Sequence, residues 1–592
     1  MSKIKKVQSL TQLALVISTL LVVNFAANFV NWDIDLTSDK RFTMSQATYD
    51  LLDQLDQTVS IEVYLDGELP ASFAHLQNSI RELLEKFRAR NSYIQYKFIN
   101  PLDNLENDSL KTDSGYQQYL KSLTNKGLKP VTVTITNKGI REQRILFPSA
   151  VIRIGSIEKV VNLLEEKAQI NQDLTQSNSI SASINLLEYK FTHTVISLLK
   201  TKRDRIVLLT GHGELERPFT NSLEKALFEH YDIGRLNLSE TFNIDPLIDL
   251  VIIAKPLQPL GEQHQFMIDQ YIMNGGKVIW AVDMLNADLN ALGATGQHVP
   301  MERGLDFGSQ LFHYGVRVNA NLISDLESST IPVEVGQMNG QPQYQLLPWL
   351  YHPRAYPYSL PTEREQGSSI DHPITKNLDY IDTRFPSSID TVKTRANIKK
   401  TPLLRSSRYS KVQFPPINLN INMTKENITQ DAFPPNKGYQ NIAVLLEGSF
   451  ESYFKNRISP EMEQKFKDAG RPIIFEGKET KMIVISDGDI LRNDILSDNN
   501  GNKIKDLELG FNKYEGYQYG NKDFIMNCIE YLLGNQGLLA TRNKDIKLRP
   551  LDQERARNEA FQWQAINLIA PFTVLSIFGM VYVYRRKKKN TF

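Results

Sequence analysis

Two uncharged apolar runs frame the chain. Leu10–Val30 carries no charge in 21 positions, and Ile566–Tyr584 is uncharged and mostly apolar. Each matches the roughly 20 residues that a helix needs to cross a hydrocarbon core. Between them the hydrophobic pattern switches between the strand period of two and the helix period of 3.6. Tyr49, Leu51, Leu52 and Leu55 fit a helix capped by Thr43 or Ser45. Ile61, Val63 and Leu65 alternate as a strand, and Asp66-Gly67 with Pro70 form a turn and helix start. Phe73, Leu76, Ile80, Leu83, Leu84 and Phe87 recur at helical spacing, and Ile94, Tyr96 and Phe98 alternate again. This predicts a β-α-β unit with a right-handed connection.

A short helix near Gln117–Leu123 follows, then a strand Val131–Ile135 entered by Lys129-Pro130, then strands around Arg144–Phe147 and Val151–Ile154. That order resembles a thioredoxin-like domain, with the proline entering its third strand. The segment Asp66-Gly67-Glu68-Leu69-Pro70 stands where such a fold carries Cys-x-x-Cys, so the scaffold is expected without its redox chemistry. A long helix, Ser179–Lys200, leads to a second rhythm of apolar strands: Ile206–Leu209, Leu250–Ala254, Val278–Val282 and Met482–Ile485. Amphipathic helices Thr220–Tyr231 and Gln263–Asn274 separate the first three, and the pattern predicts a doubly wound parallel sheet covered on both faces.

Thirteen of the 26 prolines lie between Pro332 and Pro435, with Trp349, Tyr351, Tyr356 and Tyr358 among them. Such a stretch is too proline-rich for helices and too aromatic for disorder, so it is expected to be an ordered insertion of short extended pieces. The strand Ile442–Leu446 returns the chain to the core, and the helix Lys522–Leu533 closes the domain.

The expected division is therefore a cytoplasmic tail 1–9, a span 10–30, a first α/β domain 40–165, a linker helix 166–200 and a second α/β domain 201–540 with an insertion 300–440. A juxtamembrane segment 541–565, a span 566–584 and a basic tail 585–592 follow.

Charge orients this picture. Lys3, Lys5 and Lys6 precede the first span, Asp33, Asp35 and Asp39 follow it, and Arg585, Arg586, Lys587, Lys588 and Lys589 close the second. Both termini are thus expected in the cytoplasm, with the body exported. The 68 basic and 67 acidic residues nearly cancel, which removes the bulk field that nucleic-acid binding would use. Cys528, the only cysteine, excludes an internal disulfide, a thiolate zinc cluster and a dithiol pair.

Ligands in doubly wound sheets bind beyond the carboxyl ends of the strands. Thr210, His212 and Glu214 follow the first strand, Asp283 another, and Asp487 and Asp489 a third, so these six form a candidate ligand crevice. Gly211 and Gly213 between them are equally what a tight turn needs. No Gly-x-Ser-x-Gly elbow or His-x-x-x-His pair accompanies them. The segment "NGGKVIW", Asn274–Trp280, is not a phosphate loop, because Tyr271 and Val278 occupy two of its required positions. The residues therefore predict no catalytic site, metal or cofactor.

The segments "DLTSDKRFTMS", "LLTGHGELE", "DQYIMNGGKVIWAVD", "IAVLLEGSFESYFKNR", "VISDGDILRND" and "GNKDFIMNCIEYLLG" occur in this order over nearly the whole chain. In that order they resemble the gliding-motility-associated ABC transporter auxiliary family of GldG. The resemblance implies an inner-membrane protein of a Bacteroidetes-type bacterium, with a large periplasmic part and a role in gliding. It also implies a separate permease and a cytoplasmic ATPase as partners, and leaves open a homo-oligomer within the complex. The family's sheet domain looks like the class I glutamine amidotransferase scaffold, related to the flavodoxin-like arrangement. Its nucleophile cysteine would fall at Asp283-Met284, which argues against that chemistry. A non-catalytic accessory subunit is the first expectation, a tethered solute binder the second, and a membrane-anchored hydrolase the last.

Overall fold

The computed structural model describes residues 43–101, 113–137, 140–165, 172–200, 202–338, 340–358, 372–425, 430–434, 439–468, 470, 472–498, 502–542 and 559–589. Of the first 42 residues it describes only 11, 14–19 and 22. Most of the expected N-terminal span, its flanking charges and most of the juxtamembrane segment lie outside the described residues. Phe42–Lys544 is one compact unit.

The chain enters this unit through helix α1 (Gln46–Gln54), whose N-cap Ser45 accepts a hydrogen bond from the Thr48 backbone N–H. Strand β1 (Val59–Val63), helix α2 (Ala71–Arg90) and strand β2 (Ile94–Phe98) follow, and β1 and β2 pair in parallel. Phe73, Leu76, Ile80, Leu84 and Phe87 form the buried stripe of α2 against the sheet, while Arg88 and Arg90 favour its carboxyl end. Helix α3 (Asp113–Asn125) precedes strands β3 (Val131–Asn137) and β4 (Ile140–Leu146). Strands β5 (Ser149–Ile154) and β6 (Ile157–Asn162) complete a four-stranded sheet of order β2-β1-β5-β6.

This corrects one expectation. The strand at Val131 does not lie beside β1; it pairs with β4 in a separate two-stranded hairpin. The strand beside β1 is β5, antiparallel to it and entered by Pro148. Its burial explains the choice, since four of its first five residues face no solvent on either side of the sheet, whereas β3 alternates Val and Thr.

Helix α4 (Gln172–Leu199) places Ile180, Leu187, Phe191 and Val195 in the core of this first sheet. The second sheet begins with β7 (Arg205–Thr210), helix α5 (Arg217–Phe228) and β8 (Asp232–Asn237). Then come β9 (Leu250–Ala254), helix α6 (Gly261–Met273) and β10 (Lys277–Ala281). Long strands β11 (Ser328–Met338) and β12 (Gln341–Pro357), then β13 (Lys399–Arg405), β14 (Asn441–Glu451) and β15 (Glu476–Ile485), complete the main path. The order is β11-β12-β13-β14-β15-β10-β9-β7-β8, with Ile381–Asp382 pairing off β12.

The sheet is therefore mixed. β8, β7, β9, β10 and β15 run parallel, as the strand–helix alternation predicts. β14, β13, β12 and β11 extend it antiparallel. The expected insertion thus supplies three strands of the main sheet, two of them of 11 and 17 residues rather than short pieces. Pro332 sits on the edge strand β11, and Pro402 of β13 sits at a register shift in its ladder with β14.

Both faces of the parallel half are covered. Ile206, Leu208, Ile252 and Ile483 pack with Leu223 and Leu227 of α5 and with Phe524, Ile525 and Ile529 of helix α7 (Asn521–Leu532). Val251, Ile253, Val278 and Trp280 pack on the other face with Met267, Ile268 and Ile272 of α6. Cys528 is fully buried on α7. Helix α8 (Gln536–Arg542) ends the unit. The two sheets meet through Glu530 of α7, which accepts from Tyr231 Oη at 2.7 Å and from Tyr189 Oη of α4 at 3.2 Å.

Helix α9 (Ala560–Lys589) contains Pro571 and a stretch, Gln562–Arg585, long and apolar enough to cross a membrane.

Candidate functional site

The chain steps from β7 to β8 on one side and to β9 on the other, so the sheet's switch point lies between β7 and β9. A cleft of about 520 Å³ opens there, over the carboxyl ends of β7, β9, β10 and β15. Its floor comes from the segments after those strands, including Glu214, Lys255 and Asp489, with the exposed Asn290 at its rim. Its wall comes from the β11–β12 region and the following loop, including Ile331, His352, Asp382, Arg384 and Phe385.

The six residues expected at this edge divide into three groups. Glu214 and Asp489 line the cleft. His212, Asp283 and Asp487 are buried beside it, and Thr210 stays in the sheet, paired with Asn237. The turn itself explains the glycines, since Gly211 and Gly213 have φ of 112° and 76°. A Cβ on Gly211 would also meet Asn237 Oδ1 at 2.6 Å.

Glu214 accepts from the His212 backbone N–H at 2.7 Å, and its other oxygen lies 3.2 Å from His212 Nδ1. Burial opposes its charge, but these hydrogen bonds prevail and hold the carboxyl below its ordinary range. His212 Nε2 in turn lies 2.8 Å from His264 Nδ1 on α6. Partial burial and the neighbouring His212 lower His264.

Lys255, directly after β9, is the centre of the second network. Its Nζ lies 2.9 Å from Asp283 and 2.5 Å from Asp489. Burial alone would discharge this lysine, yet the two carboxylates raise it above its ordinary range. Burial likewise disfavours the Asp489 charge, but Lys255, Arg384 and Arg492 bring it down to about 2. Asp283 also accepts from the Gly488 N–H at 2.6 Å, and Asp487 accepts from the Asp489 and Arg384 N–H groups. Burial and the adjacent Asp283 and Asp489 charges push Asp487 up. Arg384 binds Asp494 through two bonds of 3.0 Å.

Two residues of the cleft also carry backbone strain. Lys255 and Phe385 both have φ of 55°, a left-handed conformation that costs a non-glycine residue about 1–3 kcal/mol and tends to cluster at working sites. Lys255, Arg384, His352 and Asp382 escape the sequence reading. A lysine after an apolar strand, "LVIIAK", is the available signal for the first. The others come from the proline-rich stretch, which has no period to place them. His352 is buried against Phe385, and desolvation with the nearby Arg384 lowers it to about 3, so it is a neutral hydrogen-bonding group. Desolvation raises Asp382 to about 6. Among the described residues no group of three or more His, Cys, Asp or Glu is arranged to hold a metal ion.

Residues 203–528, more than half of the chain and the whole of this cleft, match the model of a family described as an ABC-type uncharacterized transport system. The chain belongs to this ABC-type transport auxiliary family. Residues 38–153 of the auxiliary-family chain match a second model, a domain of unknown function designated DUF7088, which spans the first sheet as far as β5. An uncharacterized protein of Borreliella burgdorferi is 23% identical over 572 residues, covering 94% of each chain. Among solved structures, the mmIFT52 N-terminal domain aligns with 56% of this chain and 97% of its own at 12% identity and a TM-score of 0.28, too low to carry a fold.

Proposed function

We propose that this chain is a non-catalytic, membrane-anchored accessory subunit of an ABC-type transport complex, working with a separate permease and a cytoplasmic ATPase. The observation that carries this reading is the family match over 203–528, the segment that builds the main sheet and the cleft. The site chemistry supports it. The carboxylates at the strand ends are held by Lys255, Arg384 and the His212 turn, and Asp283 forms an ion pair where the related scaffold would place a nucleophile.

The anchors are read from Gln562–Arg585 and the apolar run Leu10–Val30. Their basic flanks support cytoplasmic termini, an inner membrane and a periplasmic body. The order β2-β1-β5-β6 supports a thioredoxin-like scaffold without a dithiol for the first sheet, and the parallel half of the second supports a flavodoxin-like or amidotransferase-like one. The ordered motifs shared with GldG support service in gliding motility.

The test is affinity purification of the tagged full chain from its own cells in mild detergent. A polytopic permease and an ATPase should copurify, and their absence would sink the accessory reading. Deletion of the gene should abolish spreading over a surface; unchanged spreading would remove the motility assignment while leaving the complex intact.

A further inference from the structure

The ionic groups of the cleft are balanced before any ligand arrives. Five cations and six carboxylates line it, and the deepest ones, Lys255 and Arg384, already have fixed partners. What is left over is hydrogen-bonding capacity rather than charge. Five buried side-chain atoms of lining residues have no hydrogen-bond partner: Thr330 Oγ1, His352 Nε2, Asp382 Oδ1, Asp489 Oδ1 and Arg492 Nε. Arg492 approaches Asp489 Oδ1 only at 3.5 Å, too far for a strong bond. Such atoms occur elsewhere among the described residues too, but these five share one cleft, where a bound group can satisfy them together.

The mixture of these groups selects the ligand. Two are carboxylate acceptors, one is a guanidinium donor, the threonine hydroxyl takes either role, and so does the imidazole with its tautomer. A phosphate or carboxylate would meet the lone pairs of Asp382 and Asp489. A metal ion or ammonium would meet Arg384 and Arg492. A hydroxyl group satisfies both sides, because it donates to a carboxylate and accepts from a guanidinium or imidazole. Phe219, Leu257 and Tyr514 add apolar surface of the kind that the C–H face of a ring covers. The volume falls within the range of small-molecule sites.

We infer that the strand-end cleft binds a neutral, hydroxyl-rich solute with the chemistry of a mono- or disaccharide. This goes beyond the accessory role and does not depend on it.

The experiment is isothermal titration calorimetry on the full chain, purified in a detergent without a sugar headgroup. The probes are glucose, N-acetylglucosamine, cellobiose and chitobiose, with inorganic phosphate and calcium chloride alongside. At least one sugar should bind saturably, with neither ion competing. Asn290, exposed at the rim, is changed to tryptophan to obstruct the mouth without touching the buried network. N290Q serves as its folded control. N290W should abolish binding, while H352F, which removes one hydrogen-bonding partner, should weaken it roughly tenfold. Saturable binding by none of the sugars would overturn the inference. So would binding of phosphate or calcium in place of sugar, or sugar binding unchanged in N290W. Copurification of permease and ATPase with N290W reports on the accessory role separately, since the two readings fail in different assays.

Discussion

Replacing Lys255 with methionine isolates the buried charge cluster beneath the cleft. The Lys255 Nζ lies 2.9 Å from Asp283 and 2.5 Å from Asp489, and the three side chains are 12%, 5% and 7% exposed. At an effective dielectric constant of about 20, each contact carries about 6 kcal/mol of Coulomb energy, most of which offsets the desolvation of the three charges. Methionine keeps much of the lysine stem but removes the cation. The desolvation of the two carboxylates then remains without its compensation, and the expected loss is about 3–5 kcal/mol at pH 7.

The pH dependence gives the sign independently. In the parent chain Asp489 is held at about 2, so its stabilisation is present above the unfolded carboxyl value and is lost as pH falls through about 2. Without Lys255, the facing carboxyls of Asp283 and Asp489 are expected to titrate above that unfolded value. Their penalty is then absent in acid and grows as pH rises. The deficit of K255M relative to the parent should therefore be smaller at pH 4.5 than at pH 7. Urea unfolding of the full chain, followed by tryptophan emission with Trp280 fully buried in β10, measures both. A deficit below about 1 kcal/mol at pH 7, or an equal deficit at both pH values, would refute the argument.

Three further changes test other parts of the fold. Gly488→Ala would bring a Cβ within 2.5 Å of the Lys255 Cβ and 2.9 Å of its Cα. It should cost about 1–3 kcal/mol in the same urea assay, and a neutral result would mean that the Asp487–Asp489 segment is not packed as described. Cys528, fully buried with its thiol pushed up by desolvation, should resist a disulfide reagent in the folded chain and react fully in denaturant; rapid native labelling would contradict its place in the α7 core. Glu530→Ala removes the acceptor shared by Tyr231, Tyr189 and Asn535 and the carboxylate 3.3 Å from His193, so a loss of about 2–4 kcal/mol is expected. An unchanged thermal midpoint would show that this cluster does not hold the two sheets together.

What could be read from the chain divides by the range of the signal. The unit β1-α2-β2 and strands β7, β9 and β10 follow local periodicity, and the structure places them within a few residues of the expected positions. β8 escapes local periodicity because "DIGRLN" has neither an apolar run nor clean alternation, as suits a strand at the sheet edge. The partner of β3 and the direction of β14 are pairing choices between distant segments, which no local period encodes. Glu214 and Asp489 are legible as polar residues at strand ends. His352, Asp382 and Arg384 are not, because long-range pairing of β12 with Ile381–Asp382 and hydrogen bonds such as Arg384 N–H to Asp487 bring that stretch to the same edge.

That pairing also shapes the site itself. The parallel half alone would leave its strand ends as an open crevice, with Lys255 and the aspartates facing water. The antiparallel half and the loop after it bring Thr330, Ile331, His352, Asp382, Arg384 and Phe385 over those ends and turn the crevice into a walled cleft. The same covering loop supplies Arg384, which with Lys255 holds Asp489 ionised, and the Arg384 backbone N–H donates to Asp487. The charged groups that an α/β enzyme would keep free for proton transfer are therefore fixed as the frame of the cleft. The groups left over, from His352 and Arg492 among others, are the ones that the proposed solute would meet.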